Sequence, residues 1–199
     1  MSRALSALAL ALPLGRAVAF AVAFVLPATA NDYGALFRDH AAQVQQPTPD
    51  TRVLELPGPV VVTEHRRNGT QTYTAADQTG LGAVACYYHV LVDAVVAAGL
   101  CDTLLTGEEQ HLLDQRLLRV SGFIADNSYP PMPEQAMFDR LLQDIENKRQ
   151  AWKTCPLSGT SGQDAMRIEF MRNLSRPAVG AALERALSKP RLPVMNPCL

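Results

Sequence analysis

The chain has 199 residues, of which 48% are hydrophobic, and it carries 18 basic and 19 acidic side chains. The two counts nearly balance, and the sequence contains no dense run of Lys and Arg. Both observations argue against nucleic acid as a partner. The length fits a single domain that is large enough to bury a core of its own.

Residues 1–30 are predicted to be a cleavable signal peptide. Two arginines and no acidic residue precede or border an apolar run over residues 17–26, and Ala28 and Ala30 are small at the positions that a signal peptidase reads. The apolar run is shorter than the ~20 residues that a spanning helix needs, so no stable membrane span is expected after cleavage. The sequence therefore predicts a periplasmic or secreted protein that starts at Asn31.

Residues 31–51 are predicted to form a flexible N-terminal segment. A short stretch that could be helical comes first, and a sequence rich in Gln and Pro follows it. Strand-like residues then lie on both sides of Asn68-Gly69. Asn-Gly between two such runs is a strong hairpin signal, since both turn residues take positive φ. We therefore predict a β-hairpin, or a small three-stranded sheet, over residues 52–76.

Residues 83–188 are predicted to form a helical bundle. Their helices are separated by Gly99, by a capping box at Thr106 and Glu109, and by a pair of prolines after Tyr129. The predicted helices are 83–98, one from the Thr106 cap to the stop at Asn127, 134–153, 163–174 and 177–187. Proline-rich residues 189–199 are expected to be an extended tail.

The predicted fold class is therefore mainly α. It is a small bundle of four to five helices with an N-terminal β-hairpin element, stapled by two disulfides, in a single domain over residues 52–199. Helical spacing also predicts which apolar side chains are buried. For the third and fourth helices these are Phe138, Leu141, Leu142, Ile145, Trp152, Met166, Phe170 and Leu174.

Four cysteines remain after the predicted cleavage, which in an exported chain favours two disulfides. The first and third helices should point the same way, which places Cys101 and Cys155 at one end of the bundle. Cys86 lies too far along the first helix to reach Cys101. The favoured pairing is Cys101–Cys155 with Cys86–Cys198, and the second choice is Cys86–Cys155 with Cys101–Cys198.

His89 and Asp93 are the candidates for chemistry, because they lie one turn apart on an otherwise apolar helix. They would serve as metal ligands or as an oriented base in one interpretation. In the favoured interpretation they are structural, either hydrogen-bonded to each other or with Asp93 reaching an arginine of another helix. No nucleophile or second pair of ligands is signalled nearby.

Other chemical motifs are weak. The four histidines lie in four different segments, and no Cys-x-x-Cys pair is present, so no metal and no cofactor are predicted. Ser161 lacks the surroundings of a hydrolase serine and is better explained as a helix cap. Tyr87-Tyr88 and residues 127–133 would suit a ligand or partner surface, although the favoured interpretation of the latter is a tight loop.

The sequence thus predicts a non-enzymatic binding or interaction protein of the bacterial cell envelope. Its partner would be a protein or small ligand of that compartment, and the envelope location follows from the signal peptide. One alternative is a small exported hydrolase or metal-dependent enzyme that uses His89 and Asp93. Another is a carrier that holds a small ligand in an apolar cleft between helices.

Overall fold

The computed structural model describes residues 31–102, 104–157 and 162–198. The predicted signal peptide and the predicted cap Ser161 lie outside these residues. The elements are α1 (Tyr33–Asp39), a 3-10 turn (Ala41–Gln43), β1 (Gln45–Thr48), β2 (Thr51–Leu56), β3 (Val60–Arg67), β4 (Thr70–Asp77), α2 (Val84–Leu100), α3 (Gly107–Asn127), α4 (Glu134–Trp152), α5 (Gly162–Asn173) and α6 (Pro177–Leu187).

The prediction of a mainly α bundle with a hairpin is wrong, because the fold is mixed α/β with a four-stranded sheet. The strands follow one another in the order β1-β2-β3-β4, and every neighbouring pair is antiparallel. The expected turn at Asn68-Gly69 joins β3 to β4, and both of its residues have positive φ. β1 was not predicted, because it contains Pro47 and proline argues against a strand in the sequence. A sheet tolerates proline on an edge strand, which is the position of β1.

The N-terminal segment 31–51, expected to be flexible, contains α1 and β1. The Asp32 carboxylate caps α1 by accepting a hydrogen bond from the Ala35 backbone at 2.8 Å. Leu36 and Phe37 are both buried against the inner face of the sheet. So short a helix is marginal by itself, and its stability comes from this packing.

The helix boundaries lie close to those predicted. The capping box of α3 is formed, with the Glu109 backbone donating to Thr106 Oγ1 at 3.2 Å and the Thr106 backbone donating to Glu109 at 2.8 Å. Gly99, expected just beyond the end of its helix, lies inside α2. The cap and breaker residues therefore predicted most of the helical organisation correctly.

Part of the predicted buried surface is exposed. Phe138 and Leu142 of α4 are 45% and 51% exposed, whereas Leu141 is buried as predicted and Met137, which was not predicted, is buried with it. On α5, Met166 and Phe170 are likewise exposed. Helical periodicity predicted that these side chains are buried, but each of them keeps about half or more of its surface exposed.

Two hydrophobic clusters meet at α2. One lies between the sheet, α1 and the tail, and includes Leu54, Val62 and Val194. The other lies between α2, α3, α4 and α6, and includes Leu113 and Leu141. Because α2 contributes to both, the sheet and the helices form one continuous interior.

Both disulfides have the favoured pairing. Cys86 is bonded to Cys198 and Cys101 to Cys155, with Cα–Cα distances of 5.3 and 4.7 Å. The first bridge fixes the C-terminal tail to α2, and the second joins the end of α2 to the end of α4. The presence of two disulfides is compatible with an oxidising compartment.

The tail lies between the sheet and the helices. The Asp77 backbone donates a hydrogen bond to the Asn196 carbonyl at 2.7 Å, and the Ala85 backbone donates to the Val194 carbonyl at 3.2 Å. Asn31 also donates through Nδ2 to the Pro193 carbonyl at 2.8 Å. The tail is therefore an extended strap, as predicted, and it is hydrogen-bonded to both halves of the fold.

A buried ion pair holds the base of this strap. Arg191 Nε donates to Asp77 Oδ2 at 2.5 Å, and the two side chains are 0% and 1% exposed. The remaining donors of Arg191 reach backbone carbonyls, including those of Gly82 and Ala186. A buried charge is tolerated when its partner and its other donors are satisfied in this way.

We expect Arg191→Met to destabilise the protein by about 3–5 kcal/mol, because it leaves the Asp77 carboxylate buried without its cation. The matched control is Arg176→Met, which removes an exposed ion pair with Glu169 and should cost about 0–1 kcal/mol. Urea denaturation with the disulfides intact measures both. Equal losses for the two variants would contradict the role assigned to the buried pair.

A second buried charge lies in the sheet. Glu64 of β3 has no exposed surface, and its carboxylate accepts hydrogen bonds from Arg52 and Arg66. Burial alone would raise the pKa of Glu64, but the hydrogen bonds from Arg52, Arg66 and Gln71 together lower it to about 2. Arg52 also lies over the Phe37 ring, 5.1 Å from its centroid, so this cluster fixes α1 to the sheet.

The depressed pKa of Glu64 predicts an acid-sensitive contribution to stability. Stabilisation from this carboxylate should be fully present above its ordinary pKa of 4.5 and should be lost as the pH falls towards about 2. Glu64→Gln should therefore lower the free energy of unfolding at pH 7 by roughly 2–3 kcal/mol, and this deficit should shrink between pH 5 and pH 2. Glu55→Gln, at an exposed position of β2, is the control. A deficit that stays constant with pH would be inconsistent with this cluster.

Candidate functional site

His89 and Asp93 lie on the side of α2 that faces α4. Asp93 Oδ1 is 2.7 Å from Lys148 Nζ, so its carboxylate is paired with a cation of another helix. The structural interpretation anticipated such a partner, although the residue is a lysine and not an arginine. Lys148 also lies 5.3 Å from the centre of the Trp152 ring, which holds its ammonium group in place.

Next to this pair, Tyr88 and Asp144 join the same two helices. The buried Tyr88 hydroxyl donates to Asp144 Oδ2 at 2.8 Å, and Arg140 Nε lies 3.6 Å from the same oxygen. Burial, followed by the hydrogen bond to Asp144, raises the pKa of Tyr88 far above its ordinary value. Tyr88 is therefore held in its protonated, donating form.

The His89 ring stands edge-on to the Tyr88 ring, with the centroids 5.4 Å apart. Although the residue is exposed, partial burial of the ring lowers the pKa of His89, and the nearby Asp144 only partly opposes this. A neutral histidine beside paired charges is chemically available as a ligand or base. Its neighbours Asp93 and Asp144, however, are already bound to Lys148 and Tyr88.

A metal centre has no support in the part of the chain that the structure describes. No group of three His, Cys, Asp or Glu side chains there is arranged to hold an ion. His111 is hydrogen-bonded to Gln115 at 2.9 Å on the exposed face of α3, and His40 lies against Tyr129.

The tyrosines proposed as a recognition surface make contacts within the chain. The Tyr87 hydroxyl donates to the Leu81 carbonyl at 3.1 Å, and the Tyr129 hydroxyl donates to Asp39 at 2.5 Å. The Tyr129 backbone also donates to Asn31 Oδ1 at 3.0 Å. These contacts support the interpretation of residues 127–133 as a tight loop, and they also join this loop to residues Asn31 and Asp39 of the N-terminal segment.

The most distinct surface feature is apolar, and it was missed from the sequence because Phe138 had been assigned to the core and Leu118 had not been singled out. α3 and α4 form the walls of an open groove of about 630 Å³, here called the α3–α4 groove. Large side chains on its two walls are half exposed, namely Leu118 (53%) and Phe138 (45%). The groove is lined by Leu118, Gly122 and Ala125 of α3 and by Glu134, Phe138 and Leu141 of α4.

A second apolar surface lies on α5. Met166 is 68% exposed and Phe170, one turn later, is 47% exposed. Met195 of the tail is also exposed. Within the described residues, no helix is long and apolar enough to cross a membrane.

Comparison of the chain with protein-family models, with curated proteins and with solved structures gives no match. The function is therefore inferred from the residues themselves.

The contacts between α2 and α4 predict a ranking of variants. Tyr88→Phe should cost about 1–3 kcal/mol, because it removes a hydrogen bond to a charged group and leaves Asp144 without its donor. His89→Ala should change the free energy of unfolding by no more than about 0.5 kcal/mol, because His89 is exposed. Urea denaturation at pH 7 measures both.

Thermal unfolding with and without zinc provides the second readout for His89→Ala. We expect zinc to leave the melting temperature of the parent and of this variant unchanged. A zinc-dependent rise that disappears in the His89 variant would restore the metal interpretation of this helix.

Proposed function

We propose that the chain is an exported, non-enzymatic binding or interaction protein of the bacterial cell envelope. The observation that supports this most directly is the apolar surface: large hydrophobic side chains stand exposed on an otherwise tightly fixed fold. They are Leu118, Phe138, Leu142, Met166, Phe170 and Met195. Leu118 and Phe138 lie on the two walls of one groove, and apolar side chains grouped in this way on a folded protein commonly mark sites of interaction.

The scaffold beneath this surface suits a binding role. Two disulfides, the buried Asp77–Arg191 pair and the Glu64 cluster restrain the sheet, the tail and the helices. A surface that is already fixed in the free protein loses little conformational entropy when it binds. The disulfides also suit the export that the signal peptide predicted over residues 1–30 implies.

The alternative enzyme, which would use His89 and Asp93, receives less support. Asp93 would have to leave Lys148 before it could orient His89 or bind a metal. A small-ligand carrier is also less favoured, because the α3–α4 groove is walled by two helices and open to solvent along its exposed side chains. A partner with a surface of its own fits such an open groove better than a small enclosed ligand.

The proposal is tested by photo-crosslinking in the native host, with the full chain expressed so that any processing takes place. A photoreactive phenylalanine analogue is placed at Phe138 or Phe170, and at Thr72, an exposed residue of β4, as the control. We expect discrete cross-linked products in the envelope fraction from at least one apolar position and none from Thr72. Intact mass should give a chain that begins at Asn31.

Absence of products from both apolar positions, in a protein shown to be folded and oxidised, would overturn the binding role. A chain that is retained in the cytoplasm with free thiols would overturn the envelope location.

A further inference from the structure

Gly122 lines the α3–α4 groove, at an interior position of a 21-residue helix. A glycine there costs about 0.5–1 kcal/mol relative to alanine, because it loses more backbone entropy on folding. A Cβ atom built at Gly122 would meet no atom within 4 Å. Packing within the described part of the chain therefore does not require glycine at this position, and the missing side chain leaves space in the groove for an external group.

The shape of the groove selects the kind of group that approaches. α3 and α4 are joined by a short loop and pack side by side, so the groove runs along two helices. Interior backbone groups of these helices are already hydrogen-bonded within each helix. The walls therefore have no free backbone N–H and C=O groups with which an extended strand could pair. A third helix, whose side-chain ridges fit between Leu118 and Phe138 and over Gly122, fills such a groove.

The charges around the groove select the character of that helix. Glu134 lines the groove at the start of α4, and the exposed Asp126 and Asp139 directly follow the lining residues Ala125 and Phe138 in the sequence. Two cations stand next to lining residues in the sequence, and both are paired: Arg119 lies 3.6 Å from Glu184 of α6, and Arg140 lies 3.6 Å from Asp144. The rim is therefore net negative, and it favours a partner that carries positive charge.

We propose that the α3–α4 groove binds an amphipathic helix of a partner protein, whose large apolar stripe is flanked by Lys and Arg. This inference rests on the proposed binding function and assigns it a site. Leu118 and Phe138 contact the apolar stripe, Gly122 admits its largest side chain, and the three carboxylates face its cations. A second copy of the chain is disfavoured as occupant, because two acidic rims would then face each other.

Synthetic helical peptides of 18 residues test this assignment by fluorescence anisotropy. One carries a Leu and Phe stripe at positions i, i+3, i+4 and i+7 with flanking lysines, and the second replaces every lysine with glutamate. We expect the lysine peptide to bind at least about tenfold more tightly, with an affinity that falls as salt increases. Equal affinity of the two peptides would overturn the basic partner.

Gly122 supplies the matched variants. Gly122→Trp should fill the groove and weaken binding of the lysine peptide at least about tenfold, while Gly122→Ala should raise the melting temperature of the free protein. The control is Gly99→Trp, because Gly99 is also helical, exposed and open around its Cβ, but does not line the groove. Binding that survives Gly122→Trp in a folded protein would refute the site.

Two further results separate this inference from the function on which it rests. A dimer in sedimentation equilibrium that Gly122→Trp dissociates would replace the partner helix with a second copy and overturn the proposal. If the peptide does not bind while photo-crosslinks persist from Phe170, the groove assignment fails and the binding function stands.

Discussion

The ion pair between Asp77 and Arg191 fixes how the sheet sits on the helices. Arg191 reaches the last residue of β4, the loop before α2 and the end of α6, through Asp77 and the carbonyls of Gly82 and Ala186. Gly58, in the turn between β2 and β3, has a positive φ, and a Cβ there would lie 2.6 Å from Arg191 Cβ. The turn therefore needs glycine both for its backbone conformation and for the space that Arg191 occupies.

The tail and its disulfide depend on the same junction. Arg191 begins a buried stretch that includes Leu192 and Val194, and Cys198 then bonds to Cys86 on α2. Because this bridge closes a loop of 112 residues in sequence, it removes much freedom from the unfolded chain on the chain-entropy model. The ion pair specifies where the tail lies, and the disulfide makes its departure costly.

How far the sequence predicted this structure depends on the range of the interactions involved. Local signals such as the Thr106 cap and the Asn68-Gly69 turn predicted the helices and the hairpin, because they act within a few residues. β1 was not predicted, and α1 was noted only as a short helical possibility in a segment expected to be flexible, since the stability of both comes from pairing and packing with distant residues. Helical periodicity placed Phe138 on the apolar face of its helix and so predicted that it is buried. Periodicity carries no information on whether another element covers that face, so the candidate surface was found only from the structure.

The stabilising interactions and the apolar surface lie in different parts of the molecule. The buried charges are in the sheet and at its junction with the helices, and the bridges join α2 to the tail and to the end of α4. None of them uses Leu118, Gly122 or Phe138. Because Leu118, Gly122 and Phe138 are exposed and take no part in these interactions, we expect substitutions at these three positions to leave the fold intact, as the proposed binding role requires. The same separation explains why a helix-destabilising glycine is tolerated in the middle of α3.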